Sequence, residues 1–161
     1  MSMKEVIEII DKYERKPDKL LLILLELQKN SGRNYISEEW AEIVAKELNL
    51  PLSRVHDVIT FYSMLSSKPR GKYIIQVCKS ASCHVRGAEN ILEIFEEVLG
   101  IKVGETTEDG LFTLEATSCI GVCDISPAVK INDDVYGNLT REKVIEIVEC
   151  YRKGGLKCQK Q

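Results

Sequence analysis

Long apolar runs are missing from this chain. The longest, Leu20-Leu-Leu-Ile-Leu-Leu25, is far too short to cross a bilayer. The opening Met1-Ser-Met-Lys-Glu-Val-Ile-Glu has no apolar signal core, so secretion is not expected. Excess positive charge is also missing. Lys and Arg number 22 against 25 Asp and Glu, a net charge of −3, which gives no electrostatic pull toward nucleic acid or an anionic membrane. No Gly-x-Gly-x-x-Gly follows a strand pattern, so the chain should hold no flavin or nicotinamide of its own. No Cys-x-x-Cys occurs, which excludes the usual redox dithiol. Internal repeats and low-complexity segments are absent too. These exclusions leave a globular chain of 161 residues, 44% hydrophobic and 29% charged, long enough for one ordinary domain or two small ones. A soluble protein of a reducing, cytoplasmic compartment is the expectation.

Two compositional halves meet at the turn-rich Ser66-Ser-Lys-Pro-Arg-Gly71. The expected domains are therefore residues 1–70 and 71–161. Before the junction the periodicity is helical. A short leading helix is expected over residues 3–13. Pro17 should open a helix running to about Lys29, ended near Asn30 and Gly32. Ser37 should cap the next, with Trp40, Ala41, Val44, Ala45 and Leu48 on one face, and Ser53 the one after. Such short amphipathic helices must bury their stripes against each other or dock on a partner. Trp40, Phe61, Tyr62 and Met64 are the candidate docking anchors, with core filling as the plain alternative.

After the junction the pattern changes. Lys72 to Cys78 reads as a strand, and Ile91 to Leu99 as a helix ended by Gly100. Leu111 to Ala116 reads as a second strand. Pro127 to Ile131 and Val135-Tyr136 read as a hairpin around Asn132-Asp-Asp134, and Thr140 should cap a last helix through Tyr151. Between Gly87 and Asp134 there are eleven Asp and Glu against two Lys. Glu89, Glu93, Glu96 and Glu97 oppose an apolar stripe, so this charge reads first as a solvated helix face.

The chemistry lies in the cysteines. The chain has six. Four stand as Cys78-x4-Cys83 and Cys119-x3-Cys123, which in a reducing compartment reads as a metal site before a disulfide framework. Spacing alone leaves a structural zinc open. A Rieske centre needs two histidine ligands, and of His56 and His84 the first falls in a helix of the other half. Cys119-Ile-Gly-Val-Cys123-Asp-Ile-Ser-Pro-Ala-Val is a Gly-containing loop entering an apolar strand. Its small residues and turn N–H groups suit an anionic iron–sulfur cluster. Cys150 and Cys158 read first as spare free thiols, with a disulfide between them or a second metal contact as the alternative. Lys79 and Arg86 flank the first pair, as surface charges or as partners to a cluster's negative charge.

The C-x4-C and C-x3-C spacings, the CIGVCDISPAV segment and Val58-Ile-Thr-Phe-Tyr-Ser-Met64 together resemble the thioredoxin-like [2Fe–2S] subunit family. These are the small iron–sulfur subunits of respiratory complex I and their relatives in NAD(P)-linked hydrogenases and formate dehydrogenases. The resemblance runs from about Leu20 to Tyr151. It implies an α+β protein in which a small N-terminal helical bundle precedes a thioredoxin-like α/β domain. It implies one [2Fe–2S] cluster, with Cys78 and Cys83 on one iron and Cys119 and Cys123 on the other. It further implies a one-electron role in a hydrogenase-type or complex I-type assembly, with FMN, the NAD(P) site and further iron–sulfur on a partner subunit. A hydrogenase catalytic subunit is a further expected partner. Catalysis would belong to the assembly. An iron–sulfur helix-turn-helix regulator is the alternative, but residues 1–70 carry eleven Lys and Arg against eleven Asp and Glu, which argues against phosphate binding.

Overall fold

A computed structural model describes residues 2–154. The chain divides into two compact units, Met1–Arg70 and Gly71–Gln161.

The first unit is helical. Helix α1 spans Met3–Lys12 and opens on a capping box: the Ser2 hydroxyl accepts the Glu5 N–H while the Glu5 carboxylate accepts the Ser2 N–H. Helix α2 spans Leu20–Asn30. Pro17 does not begin it, contrary to expectation. Residues Pro17–Lys19 form a separate 3₁₀ turn, closed by the Lys19 N–H on the Lys16 carbonyl at 3.0 Å. Helix α3 spans Glu38–Glu47 under the Ser37 cap, whose hydroxyl accepts the Trp40 N–H. Helix α4 spans Leu52–Phe61 and starts before Ser53. Pro51 takes the cap position instead, because its ring fixes an extended backbone and it has no N–H to satisfy. Val6, Ile10, Ile23, Leu24, Leu27, Val44 and Val55 form the centre of this unit's core. Trp40 is buried in the same core, so it fills the bundle and is not an exposed anchor.

The second unit is built on a mixed sheet. Strand β1 is Tyr73–Cys78, β2 Phe112–Thr117, β3 Val129–Ile131 and β4 Asp134–Tyr136, ordered β2-β1-β3-β4. β1 and β2 are parallel, while β1–β3 and β3–β4 are antiparallel. The parallel pair needs a crossover, and residues between the two strands supply it as α5 (Ala81–Val85) and α6 (Ala88–Leu99). Gly100, at φ +69, ends α6 in the left-handed conformation. Helix α7 (Arg141–Arg152) follows the Thr140 cap, whose hydroxyl accepts the Lys143 N–H. The alternation in β1 turns Tyr73, Ile75 and Val77 inward, where they meet Ile91 and Phe95 of α6 and Val144 and Val148 of α7. Phe95 and Phe112 are wholly buried, each worth about 2–3 kcal/mol of apolar burial.

Asn132 closes the β3–β4 hairpin. It adopts φ +51, accepts the Ile74 N–H at 2.9 Å and donates to the Lys72 carbonyl at 3.1 Å. β3 starts at Val129, later than Pro127, because the preceding residues belong to the cysteine loop: the Ala128 carbonyl accepts the Cys78 N–H at 3.2 Å. Among the described residues no helix is long and apolar enough to cross a membrane.

Candidate functional site

Parallel pairing explains how cysteines thirty-six positions apart can share one place. β1 ends at Cys78 and β2 at Thr117, and these two residues are in-register neighbours. Both following loops therefore leave from the same carboxyl edge of the sheet, where open α/β sheets usually present ligands. The first loop turns through Ser80 into α5, which carries Cys83 inward. The second runs from Ser118 through Cys119 to a 3₁₀ turn over Cys123–Ile125.

Cys78 and Cys83 are buried, at 1% and 2% exposure, in a small cluster with Ala88 and Ala128. Ile120 and Val122 of the second loop pack on that cluster. Cys119 and Cys123 are exposed, with their sulfurs 3.6 Å apart. All four are free thiols.

Backbone N–H groups aim at these sulfurs. Gly121, at φ +84, donates its N–H to Cys119 Sγ at 3.4 Å. Burial pushes the Cys78 thiol up. Hydrogen bonds from the Ser80 backbone, Cys83, the Ile120 backbone and the Ser80 hydroxyl outweigh that and hold it below the ordinary thiol value. Cys83 is raised, first by burial and then by Cys78 and the nearby charge of Cys123, against a hydrogen bond from the Ala128 backbone. Cys123 is raised by its hydrogen bond with Cys119 and by the charges of Cys119 and Cys78, while Ser82 acts the other way. The two pairs therefore feel one another. Four thiols, two by two, with N–H donors on three of the sulfurs, fit a binuclear anionic cluster. Among the described residues no group of three or more His, Cys, Asp or Glu is gathered closely enough to hold a metal ion.

Cys83 lies inside the short helix α5, ahead of α6. Ser80 was the available signal, since a serine two residues past a strand end is a good cap candidate. Its hydroxyl does not cap α5, because it is spent on Cys78. The Ala128 N–H on Cys83 had no sequence signal, as a backbone donor leaves no trace in residue identity. His84 is exposed and its Nδ1 sits 3.4 Å from Glu89 Oε1, an ordinary surface pairing. His56 lies in α4 of the first unit. Cys150 is disulfide-bonded, which corrects the expectation of a free thiol. Cys158 lies outside the described residues.

Residues 6–152 match the family profile of the thioredoxin-like [2Fe-2S] ferredoxin. An NADH-quinone oxidoreductase subunit of Rickettsia felis is 41% identical over 145 residues, covering 89% of this chain and 87% of the relative. The NADP-reducing hydrogenase subunit HndA of Solidesulfovibrio fructosivorans is 34% identical over 148 residues, covering 92% and 85%. In fold, the chain is similar to part of an NAD+-reducing [NiFe]-hydrogenase of known crystal structure, with a TM-score of 0.74 and 19% identity. That likeness covers 86% of this chain and spans about a quarter, 24%, of the hydrogenase chain. With a match over nearly its whole length and relatives of this identity, the chain belongs to the thioredoxin-like [2Fe-2S] ferredoxin family.

Proposed function

We propose that this protein is the one-electron-carrying subunit of an NAD(P)-linked oxidoreductase complex, with Cys78, Cys83, Cys119 and Cys123 holding one [2Fe–2S] cluster. The observation that carries the reading is the delivery of both thiol pairs to one sheet edge, with N–H donors on the sulfurs. When bound, the cluster supplies one-electron redox chemistry. Cys78 and Cys83 provide the buried bite and Cys119 and Cys123 the exposed one. The Gly121, Ile120, Ser80 and Ala128 backbone donors offset the negative charge that four thiolates bring together.

Nicotinamide chemistry moves a hydride, two electrons at once. A single-electron carrier needs a flavin between itself and NAD(P)H. The chain has no nucleotide-binding fingerprint of its own, so FMN and the nicotinamide site are assigned to a partner subunit. Relatives named for an NADH-quinone oxidoreductase and for an NADP-reducing hydrogenase support that placement, since both names carry a nicotinamide nucleotide. In the hydrogenase-type case a hydrogenase catalytic subunit completes the assembly.

Residues 1–70 are assigned to docking on the flavin-bearing subunit. Phe61 and Met64 are 80% and 51% exposed, while their backbone neighbourhood is held firmly. Gln28, buried on α2, donates to the Met64 carbonyl and accepts the Ser66 N–H, each at 2.8 Å. A rigid segment that shows an aromatic ring and a thioether outward is suited to an interface core. Tyr62 stacks edge-on against Phe61 with centroids 5.1 Å apart.

The test of the cluster is direct. Anaerobically purified protein should contain about two iron and two sulfide per chain, and dithionite should produce an S = ½ EPR signal. Stoichiometric zinc without sulfide would sink the reading.

A further inference from the structure

Gly137 lies outside both cysteine loops, just past the end of β4, and nothing in the cysteine pattern draws attention to it. A Cβ at this position would come within 2.5 Å of the Cβ, the Cγ1 and the carbonyl oxygen of Ile125. Two of those atoms are side-chain atoms close to the backbone and one is backbone, so no rotamer change makes room. Ile125 closes the 3₁₀ turn that begins at Cys123. The same strip of chain grips that turn by hydrogen bonds. The Asn138 N–H donates to the Ile125 carbonyl at 2.6 Å, and the Leu139 N–H donates to the Pro127 carbonyl at 3.3 Å. Within the turn the Ile125 N–H reaches the Val122 carbonyl, and the buried Ser126 donates its hydroxyl to the Cys123 carbonyl at 2.7 Å. Cys123 is thus set on a rigid turn whose outer side is seated on Gly137.

We propose that Gly137 is a positioning residue for the exposed thiol pair: its missing side chain lets the β4 exit press against Ile125 and so sets where Cys123 stands relative to Cys119. This rests on the reading of the four cysteines as cluster ligands. Glycine here acts by close approach of two backbones, a different role from the left-handed conformation that Gly121 supplies. Gly71 provides an internal control. A Cβ there would meet the Phe112 carbonyl carbon at 2.6 Å, an equally tight approach, but at the amino-terminal end of β1 and β2, the opposite end from Cys78 and Thr117.

The experiment compares wild type, Gly137→Ala and Gly71→Ala as full-length, anaerobically purified protein. It reads iron and sulfide content, the EPR g values and visible circular dichroism of the cluster, its reduction potential, and thermal unfolding. Gly137→Ala should shift the g values, the visible dichroism and the potential while keeping iron and sulfide near wild-type levels. Gly71→Ala should lower the unfolding temperature and leave the cluster's spectra as in wild type. Should Gly137→Ala not fold, Ile125→Ala carries the test, because it removes the Cγ1 that lies against Gly137 and so loosens the seating of the turn, and it should shift the same spectra. Unchanged spectra and potential in a folded, loaded Gly137→Ala protein would overturn the proposal, as would equal spectral shifts in Gly71→Ala. A wild-type protein without iron and sulfide would instead overturn the ligand reading on which it rests.

Discussion

Cys78 and Thr117 are in-register partners at the carboxyl ends of two parallel strands. Cys119 follows Thr117 by two residues, so one strand pairing places the starts of both cysteine loops side by side. A slip in that register would turn every side chain of β1 to the opposite face and carry Cys78 away from its buried cluster. The site depends on the sheet in this specific sense.

Replacing Cys78, Cys83, Cys119 or Cys123 by alanine should abolish the visible cluster spectrum or leave it too labile to survive purification. Cys150→Ser should leave that spectrum unchanged, since Cys150 is on α7 and is not among the four free thiols. Absorbance near the cluster bands and iron content check both outcomes. A bleached Cys150→Ser protein would mean that the ligand set is wrong.

Gly121→Ala should destabilise the second loop by about 1–2 kcal/mol, the cost of forcing a Cβ into the left-handed region. It also tilts the N–H that reaches Cys119 Sγ. The expected result is a faster loss of iron to chelator, measured against wild type, with the far-ultraviolet dichroism of the fold unchanged. Equal chelation rates would contradict the role given to this turn.

Phe61→Asp combined with Met64→Asp should keep the iron content and lower the affinity for the flavin-bearing partner by tenfold or more, roughly 1.4 kcal/mol. Gln28→Ala should act differently. It leaves the Ser66 N–H and part of the Met64 carbonyl's bonding unmet, which costs about 2 kcal/mol of stability. Pull-down and denaturant unfolding separate the two effects. Wild-type copurification of the double aspartate variant would remove the docking role.

Tyr151 ties stability to alkaline pH. Burial first, then its hydrogen bond with Tyr136 and the charges of Tyr136 and Asp134, holds its phenol far above the ordinary tyrosine range. In the unfolded chain it ionises near pH 10. Above that value the unfolded state binds fewer protons than the folded state, so its contribution is fully present below about pH 10 and falls as pH rises further. Denaturant midpoints taken from about pH 8 to 11 should therefore drop more steeply for wild type than for Tyr151→Phe. Parallel slopes would show that this phenol does not carry the effect.

Much of this was open to a reader of residues alone. Ser37 and Thr140 are caps, Gly100 is a stop, and the β-branched run makes β1, because these signals act over one or two turns of chain. The two closely spaced thiol pairs, Cys78 with Cys83 and Cys119 with Cys123, were readable in the same way, since residue identity and spacing need no tertiary information. The start of α4 at Leu52 was not, because both Pro51 and Ser53 satisfy the local rule. The exclusion of Trp40 from the surface was not either, since an apolar stripe looks alike whether it meets its own core or a partner.

Residue order alone set the two halves, the kinds of elements and the identity of the four thiols. Folding then chose which thiols are buried and which face outward, which N–H groups reach sulfur, and that Gly137 and Asn138 hold the turn beginning at Cys123. The difference is one of range. Propensity, capping and ligand type act within a few residues and are written in side chains. Burial, strand register and donors such as the Ile120 backbone on Cys78 and the Ala128 backbone on Cys83 come from segments far apart in the chain, and they exist only once the sheet has brought those segments together.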